Sequence, residues 1–447
     1  MLCRRFMCYN PGLPAARHDL EAQTLRKLKW RLIPFLLVLY FVAYLDRTNI
    51  GFASLTMNAA LGISSGQFGF AAGIFFWGYF LFEIPSNLML HRAGARVWIA
   101  RILISWGLVA MATGAVRNLP QLYAARFLLG IAEAGFFPGI ILYLTYWFPQ
   151  REQARVIALF GMALPVASVI GSPISGFILD HAHWAGIASW RWLLIVEGLP
   201  AIVCGFVTFL LLPSRPADAR FLTQDERVWL DGELAREEHE KAGGHAMPAL
   251  RVLANPRLWQ LAGVLFGFDV GLYGMTFYMP QALKALSAGT SNTALGILVT
   301  IPHFAGLVAM VLVSRRSDRK MERRFHSGIP LAIAGVALIL LGAAQSQAVS
   351  VALWSLAAMG LYGFFGPFFS MPSRFLSGFS AASGIALVNS VGNLGGFVGP
   401  SIVGAAAGGS RGIYGGLAVA GLTLFGSAAL VLAMPRDAAR LVTRHRP

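Results

Sequence analysis

Twelve stretches of this chain are long enough and apolar enough to cross a lipid bilayer, and that recurrence leaves few folds open. They lie near residues 32–54, 67–90, 97–116, 119–146, 156–179 and 190–212, then near 257–280, 291–314, 326–345, 349–370, 373–403 and 412–434. A hydrocarbon core about 30 Å thick takes about 20 helical residues to cross. Composition agrees, because 56% of the 447 residues are hydrophobic and 13% are charged, too apolar a balance for a soluble enzyme. The expected fold class is an all-α polytopic membrane protein of twelve transmembrane helices in two six-helix halves.

The formal charge of +16 would, in a soluble chain, raise the prospect of nucleic-acid binding. Here the basic residues sit in loops between apolar segments, on alternate sides, so a bilayer and not a nucleic acid is the expected partner. One side carries Arg92 and Arg96, Arg151 and Arg155, the polar stretch 213–256, the run SRRSDRKMERR, and Arg436, Arg440, Arg444 and Arg446. The other carries Arg117, Arg191, Lys284 and Arg411. Basic loops stay in the cytoplasm, which predicts an inner-membrane protein with both termini inside. The expected organisation is a tail over 1–30, a six-helix half over 31–212, a linker with a short amphipathic helix over 213–256, a second half over 257–435 and a tail over 436–447. The opening residues are basic but lack the apolar core of a cleaved signal peptide. Cys3, Cys8 and Cys204 have no ligand or redox spacing, and neither a metal nor a cofactor motif is found.

The first span, RLIPFLLVLYFVAYLDRTNIGFA from Arg31 to Ala53, holds Asp46, Arg47 and Asn49. Charges inside hydrocarbon cost several kcal/mol and normally face a bundle interior with a function. Neighbours on a helix point about 100° apart, so Asp46 and Arg47 each need a partner from elsewhere. A rise of about 1.5 Å per residue places them about 21 Å in, slightly past mid-membrane. The fourth span supplies Arg126, at about the depth of Arg47, and Glu133, nearly two turns further on and on the same face. Asp269, His303, Glu83, Asn87 and Glu197 are further polar residues within spans; the first two are titration candidates and the rest are expected to make structural hydrogen bonds.

The halves read as copies. The loops HRAGAR, from His91, and DRKMER, from Asp318, stand 227 positions apart, and so do Pro173 and Pro400. At that offset Asp46 is mirrored by Tyr273, so protons are expected to belong to the first half. The second half would shape the substrate through neutral groups such as Tyr273, Ser370, Asn389 and Asn393. Glycine-rich runs around Pro173 and Pro400 allow close approach and bending, the signature of a hinge and gate. Joined repeats with a mid-membrane site are a transporter pattern.

With these motifs in hand, the chain resembles the major facilitator superfamily over nearly its whole length. The basic loops Arg92, Gly94, Arg96 and Asp318, Arg319, the RFLLG opening of the fourth span and the Gly-Pro motif of the fifth are its landmarks. Within it, YLDRTNIGFA, GYFLFEIPSNL, RFLLGIAEAGFFPG and NSVGNLGGFVGP look like the anion:cation symporter family, whose members carry organic anions such as tartrate, phthalate and galactonate. One departure is His91, which stands where the loop motif opens with an acid. The resemblance implies that Asp46 and Glu133 carry the co-transported proton and that Tyr44, Tyr79 and Asn393 line the cavity.

The expected function is proton-coupled uptake of a small carboxylate by alternating access, carried out by a monomer without cofactors. Arg47 and Arg126 would bind the anion, since a guanidinium forks onto a carboxylate and stays charged when desolvated. Three rivals stand beside it: an exporter of drugs, a transport-like sensor and a membrane enzyme.

Overall fold

The computed structural model describes residues 15–242, 255–287, 289–371 and 379–434, and every regular element among them is a helix. Eleven of these helices are long and apolar enough to cross a membrane. Spans one to six are Asp19–Leu61, Ser65–Ala93, Ala95–Thr113, Leu119–Thr145, Gln150–His181 and Ser189–Leu211. Spans seven to ten are Pro256–Ala285, Asn292–Lys320, Arg324–Ala343 and Gln347–Phe369, and the twelfth is Ile413–Leu432. The expected stretch 373–403 falls partly outside the described residues, and its described part is the helix pair Phe379–Asn393 and Gly395–Ala406. Together they form the twelve-helix, two-half bundle.

Two spans read as continuous are broken. The fourth stops at Glu133 and resumes at Phe136, because Gly135 adopts the left-handed conformation (φ +82°). A Cβ on Gly135 would also meet the Ser86 hydroxyl at 2.4 Å, so glycine serves both the turn and the close approach of span two. The fifth starts earlier than expected, at Gln150, and is interrupted between Gly161 and Ala163.

The first helix begins at Ala15, inside the stretch read as a tail, and runs without interruption to Leu61. Leu25 and Leu28 are buried in the same core as Leu222 and Leu230 of the linker. Ion pairs fix the extension in place: Lys27 to Glu226 at 2.7 Å, Lys29 to Glu152 at 2.6 Å, and Arg151 to both Glu21 at 2.5 Å and Glu233 at 3.1 Å. The linker helix, Gln224–Ala242, opens with a capping box in which Glu226 accepts the Thr223 amide at 2.9 Å and the Glu226 amide reaches the Thr223 hydroxyl at 3.3 Å. This end of the bundle is called the linker face below.

The halves meet most closely near the opposite face, along two helix pairs. Span two lies against the Gly395–Ala406 helix, and span eight against span five. A Cβ on Gly69 would come within 2.3 Å of the Pro400 carbonyl oxygen, and one on Gly296 within 2.3 Å of the Ser172 carbonyl oxygen and 2.9 Å of the Pro173 Cα. Gly69 and Gly296 are 227 positions apart, the offset that separates Pro173 from Pro400. The repeat is thus visible in packing as well as in sequence. At the same face Asp180 ends span five and accepts four hydrogen bonds from the start of span eight, from the amide and side chain of Asn292 (3.1 and 2.9 Å) and of Thr293 (both 2.7 Å). Tyr278 and Gln281 of span seven add bonds to the Ser65 carbonyl and the Ser54 hydroxyl, each 2.8 Å.

Candidate functional site

Asp46 and Arg47 take separate partners, as neighbours on a helix must. The Arg47 guanidinium, 7% exposed, forms an ion pair with Glu133 of span four. Its other terminal nitrogen bonds the Tyr273 hydroxyl of span seven at 3.1 Å, so one side chain joins the two halves. Glu133 reaches Arg47 because the fourth span ends there: the Gly135 turn makes it the last residue of its helix. Asp46 does not find an arginine. Its carboxylate accepts the Trp106 indole N–H at 2.6 Å and the Asn49 amide at 3.4 Å.

Arg126 is 2% exposed and makes no ion pair within 4.0 Å among the described residues, contrary to the pairing its spacing suggests. Its guanidinium carbon lies 5.1 Å from the centroid of the Phe75 ring, and that of Arg47 lies 5.2 Å from the same centroid. Phe75 thus holds two guanidinium groups by their attraction to its ring. The Nε and Nη2 atoms of Arg126 are buried without a hydrogen-bond partner. Buried donors of this kind are uncommon in native proteins and call for an explanation.

A cavity opens on the linker side of Arg47, between the halves. It is lined by Tyr40, Arg47, Tyr79 and Glu83 from the first half and by Asp269, Tyr273, Asn389 and Asn393 from the second, with Phe137, Phe268, Phe365 and Phe369 among its apolar walls. The structure therefore brings together Arg47, Tyr79, Tyr273 and Asn393, all expected at the site, and adds Asp269 and Glu83. Glu83 also accepts the Ser390 hydroxyl at 3.0 Å across the halves.

Other expected residues lie off this wall. Tyr44 is buried one turn from Thr48, whose hydroxyl bonds its carbonyl at 2.9 Å. Ser370 follows the last turn of span ten, where its hydroxyl bonds the Pro367 carbonyl at 2.7 Å. His303 bonds Tyr362 at 3.0 Å and faces a second, smaller cavity beside Ser168 and Thr48. Glu197 takes the Ser175 hydroxyl at 2.7 Å, and Asn87 is half-buried on span two.

The loop residues form local structure on the linker face. Gly94, at φ +83°, makes the turn between spans two and three. Arg96 donates to the Phe209 carbonyl and lies over that ring at 5.2 Å, Arg92 is exposed, and His91 bonds the Tyr146 hydroxyl at 3.1 Å. In the second half Asp318 pairs with Arg323 at 2.5 Å, and Arg319 is exposed.

Trp106, Phe75 and Tyr40 were not anticipated. The signal for Trp106 was the requirement of Asp46 for a donor, which an indole N–H meets, but pairing across spans has no periodicity to read.

A family model described as Major Facilitator Superfamily matches residues 36–400. The chain is 46% identical over 428 residues to a protein of Agrobacterium vitis named putative tartrate transporter, covering 95% of this chain and 94% of that one. It is 41% identical to the putative metabolite transport protein NicT of Pseudomonas putida, covering 94% and 95%. Identity is 39% to a quinolone resistance transporter of Acinetobacter baumannii, covering 86% and 89%. In fold it is similar to the xylose transporter XylE from E. coli, solved in a partially occluded inward open conformation, with a TM-score of 0.71 at 13% identity over 91% of this chain and 99% of that one.

Proposed function

The chain belongs to the Major Facilitator Superfamily, and from that premise we propose that it imports a small organic anion together with protons. Family membership makes it a membrane transporter and sets the enzyme reading aside. The observation that carries the proposal is Arg47: a buried guanidinium on the cavity wall, held by an acid of one half and a hydroxyl of the other. The names of the tartrate and metabolite transport relatives support an anionic cargo.

In this reading the carboxylate of the substrate competes with Glu133 for Arg47. A bidentate carboxylate satisfies the guanidinium fork, and the released Glu133 then sits buried without its counter-charge, a state that favours taking up a proton. When the anion leaves, Arg47 returns to Glu133 and the proton is expelled on the same side. Asp46, neighbouring this exchange, is the second coupling acid, and Arg126, off the cavity wall but sharing the Phe75 ring with Arg47, holds buried donors that an anion passing Arg47 would meet. The linker face is cytoplasmic on the distribution of arginines, so the close packing at Gly69, Gly296 and Asp180 shuts the outer side and the cavity lies toward the cytoplasm. The transporter works as a monomer in the inner membrane.

The test is to add carboxylates to proteoliposomes and record external pH. Import with protons alkalinises the medium for at least one acid, and the protonophore-sensitive signal disappears with empty liposomes. A second reading, export of a drug, is favoured by the quinolone resistance relative. It predicts instead that quinolones leave preloaded vesicles against a gradient while carboxylates produce no pH change. Binding of carboxylates without flux would support the sensor.

A further inference from the structure

Glu197 of span six is buried as deeply as Asp46, each 2% exposed, yet it is less well served by donors. One of its carboxylate oxygens accepts the Ser175 hydroxyl of span five at 2.7 Å, and the other, Oε2, is buried without a hydrogen-bond partner. Asp46 has a donor at each oxygen, the Trp106 indole and the Asn49 amide. Asn49 stands between the two acids: its side chain also interacts with Glu197, and its own Oδ1 is buried without a donor. Glu197 is in turn the charged group with the largest electrostatic influence on Asp46, ahead of Glu133 and Arg126. The other charges around span six are engaged elsewhere. Arg96 and Arg101 of span three bond the Phe209 carbonyl and the Ser105 hydroxyl, Asp180 of span five holds Asn292 and Thr293, and Arg191 of span six itself bonds the Gly114 and Val116 carbonyls.

Two carboxyl groups joined by one amide in a low-dielectric interior do not both stay ionised, since burial disfavours each charge and each charge disfavours the other. Hydrogen bonds decide where the single charge rests: two donors favour the ionised form at Asp46, while an oxygen without a donor favours the neutral acid at Glu197. A proton on Oε2 also turns an unsatisfied acceptor into a donor, which is what the Asn49 Oδ1 lacks. Depth separates the two acids as well. At a rise of about 1.5 Å per residue, Glu197 lies about 12 Å into span six from the closed outer side, and Asp46 about 22 Å into span one from the same side. Ser175, the Glu197 donor, lines the small cavity between the halves together with Thr48, Ser168, Ser172, Thr276 and His303. That cavity shares no lining residue with the one beside Arg47.

We propose that Glu197 is a third proton-binding residue of the transport cycle, sharing one negative charge with Asp46 across Asn49 and receiving its proton through the hydroxyl-lined cavity beside Ser175. The step moves a proton alone: a hydronium ion in that cavity gives its proton to Glu197 Oε2 and leaves as water. When Asp46 takes up the proton, Glu197 takes up the charge. This rests on the proton-coupled reading above and extends it to the route by which Asp46 is supplied from the outer side, apart from the path of the anion.

The experiment combines infrared spectroscopy of the purified full-length protein, which detects protonated carboxyl groups directly, with the pH profile of tartrate counterflow in proteoliposomes. Glu197→Gln should remove one protonated-carboxyl band at neutral pH, and Glu197→Asp should keep that band at a shifted frequency. In Glu197→Gln, Asp46 has lost the neighbour that could ionise, so its own charged form is less disfavoured. The limb of the exchange profile that follows Asp46 should then move about one pH unit toward acid, a tenfold weaker hold on the proton, and Glu197→Asp should restore it. An unchanged spectrum in Glu197→Gln would make Glu197 an ionised residue and overturn the inference. A lost band with an unmoved limb, or exchange and melting temperature falling equally at every pH, would leave Glu197 a structural acid and overturn it as well. Should the glutamine variant not fold, the aspartate variant decides, because a band that does not shift there does not belong to Glu197. A wild type that alkalinises the medium with no carboxylate removes the organic-anion reading itself; the band is read without substrate and still tests Glu197, so the two failures are distinct.

Discussion

Arg47 of the first span is ion-paired with Glu133 of the fourth, and the same guanidinium bonds Tyr273 of the seventh at 3.1 Å. One buried cation is thus shared between an acid of its own half and a neutral hydroxyl of the other. In the proposed mechanism that asymmetry serves coupling: a substrate entering between the halves would meet Arg47 where it could replace either partner.

Arg47→Lys keeps the charge and removes the planar fork. Lysine presents a compact ammonium that cannot hold a carboxylate bidentately. Uptake at low substrate concentration should fall about tenfold or more, equivalent to about 1.4 kcal/mol of lost binding, while expression and membrane insertion stay normal. Near-normal uptake by this variant would count against bidentate recognition.

Gly69→Ala and Gly296→Ala should each hold the side opposite the linker open. The added carbon would lie 2.3 Å from a carbonyl oxygen of the partner helix, a backbone atom that cannot swing away. Overpacking costs about 1–3 kcal/mol, which here is charged to the closed arrangement alone, since each half keeps its own packing. Labelling of a single engineered cysteine near Asn292 with an impermeant thiol reagent should quicken about tenfold in both variants. If labelling is unchanged in both, this contact does not govern closure.

The linker contact should loosen in acid. Burial disfavours the charged form of Glu226, yet the bonds from Lys27 and from the Thr223 amide and hydroxyl outweigh it and hold its carboxyl below the ordinary value. A depressed folded value means that stability is fully present above the unfolded value, about 4.3 for a glutamate, and is lost as pH falls through the folded one. Melting temperature should therefore be insensitive to this pair from pH 5 to 8 and drop below about pH 4, and Glu226→Gln should be less stable at neutral pH with a flatter acid limb. An acid limb identical to wild type would show that the pair contributes nothing.

Much of this was legible in the sequence, and the reason is period. Spans are apolar for the length of the bilayer, charges inside them stand out, and the duplicated loops and prolines expose the repeat, which the matched contacts of Gly69 with Pro400 and Gly296 with Ser172 bear out in three dimensions. Residues seven apart on one helix, such as Arg126 and Glu133, could be placed on one face. Contacts between spans could not. That Trp106 and not Arg126 serves Asp46, or that Arg126 shares Phe75 with Arg47, depends on how helices rotate against one another. Nor did hydropathy reveal the break at Gly135, because a left-handed glycine leaves the apolar run intact. The start of the first helix at Ala15 was hidden for the opposite reason: its polar extension is secured by ion pairs with the linker and the Gln150–Gly161 helix, which lie far off in sequence.

The central claim is that Glu133 exchanges its hold on Arg47 for a proton, with Asp46 as the second coupling acid. The measurement that tests it most directly compares pH-driven uptake with counterflow exchange in the same reconstituted Glu133→Gln and Asp46→Asn proteins. Both amides imitate the protonated acid and can release nothing. The account predicts that accumulation driven by a pH gradient is abolished while exchange, which moves no net proton, persists. A purely structural ion pair predicts otherwise for Glu133→Gln, since removing one partner of a buried pair costs about 3–5 kcal/mol, and exchange and melting temperature would fall together. Accumulation against a gradient at the wild-type level in both variants would contradict the account outright.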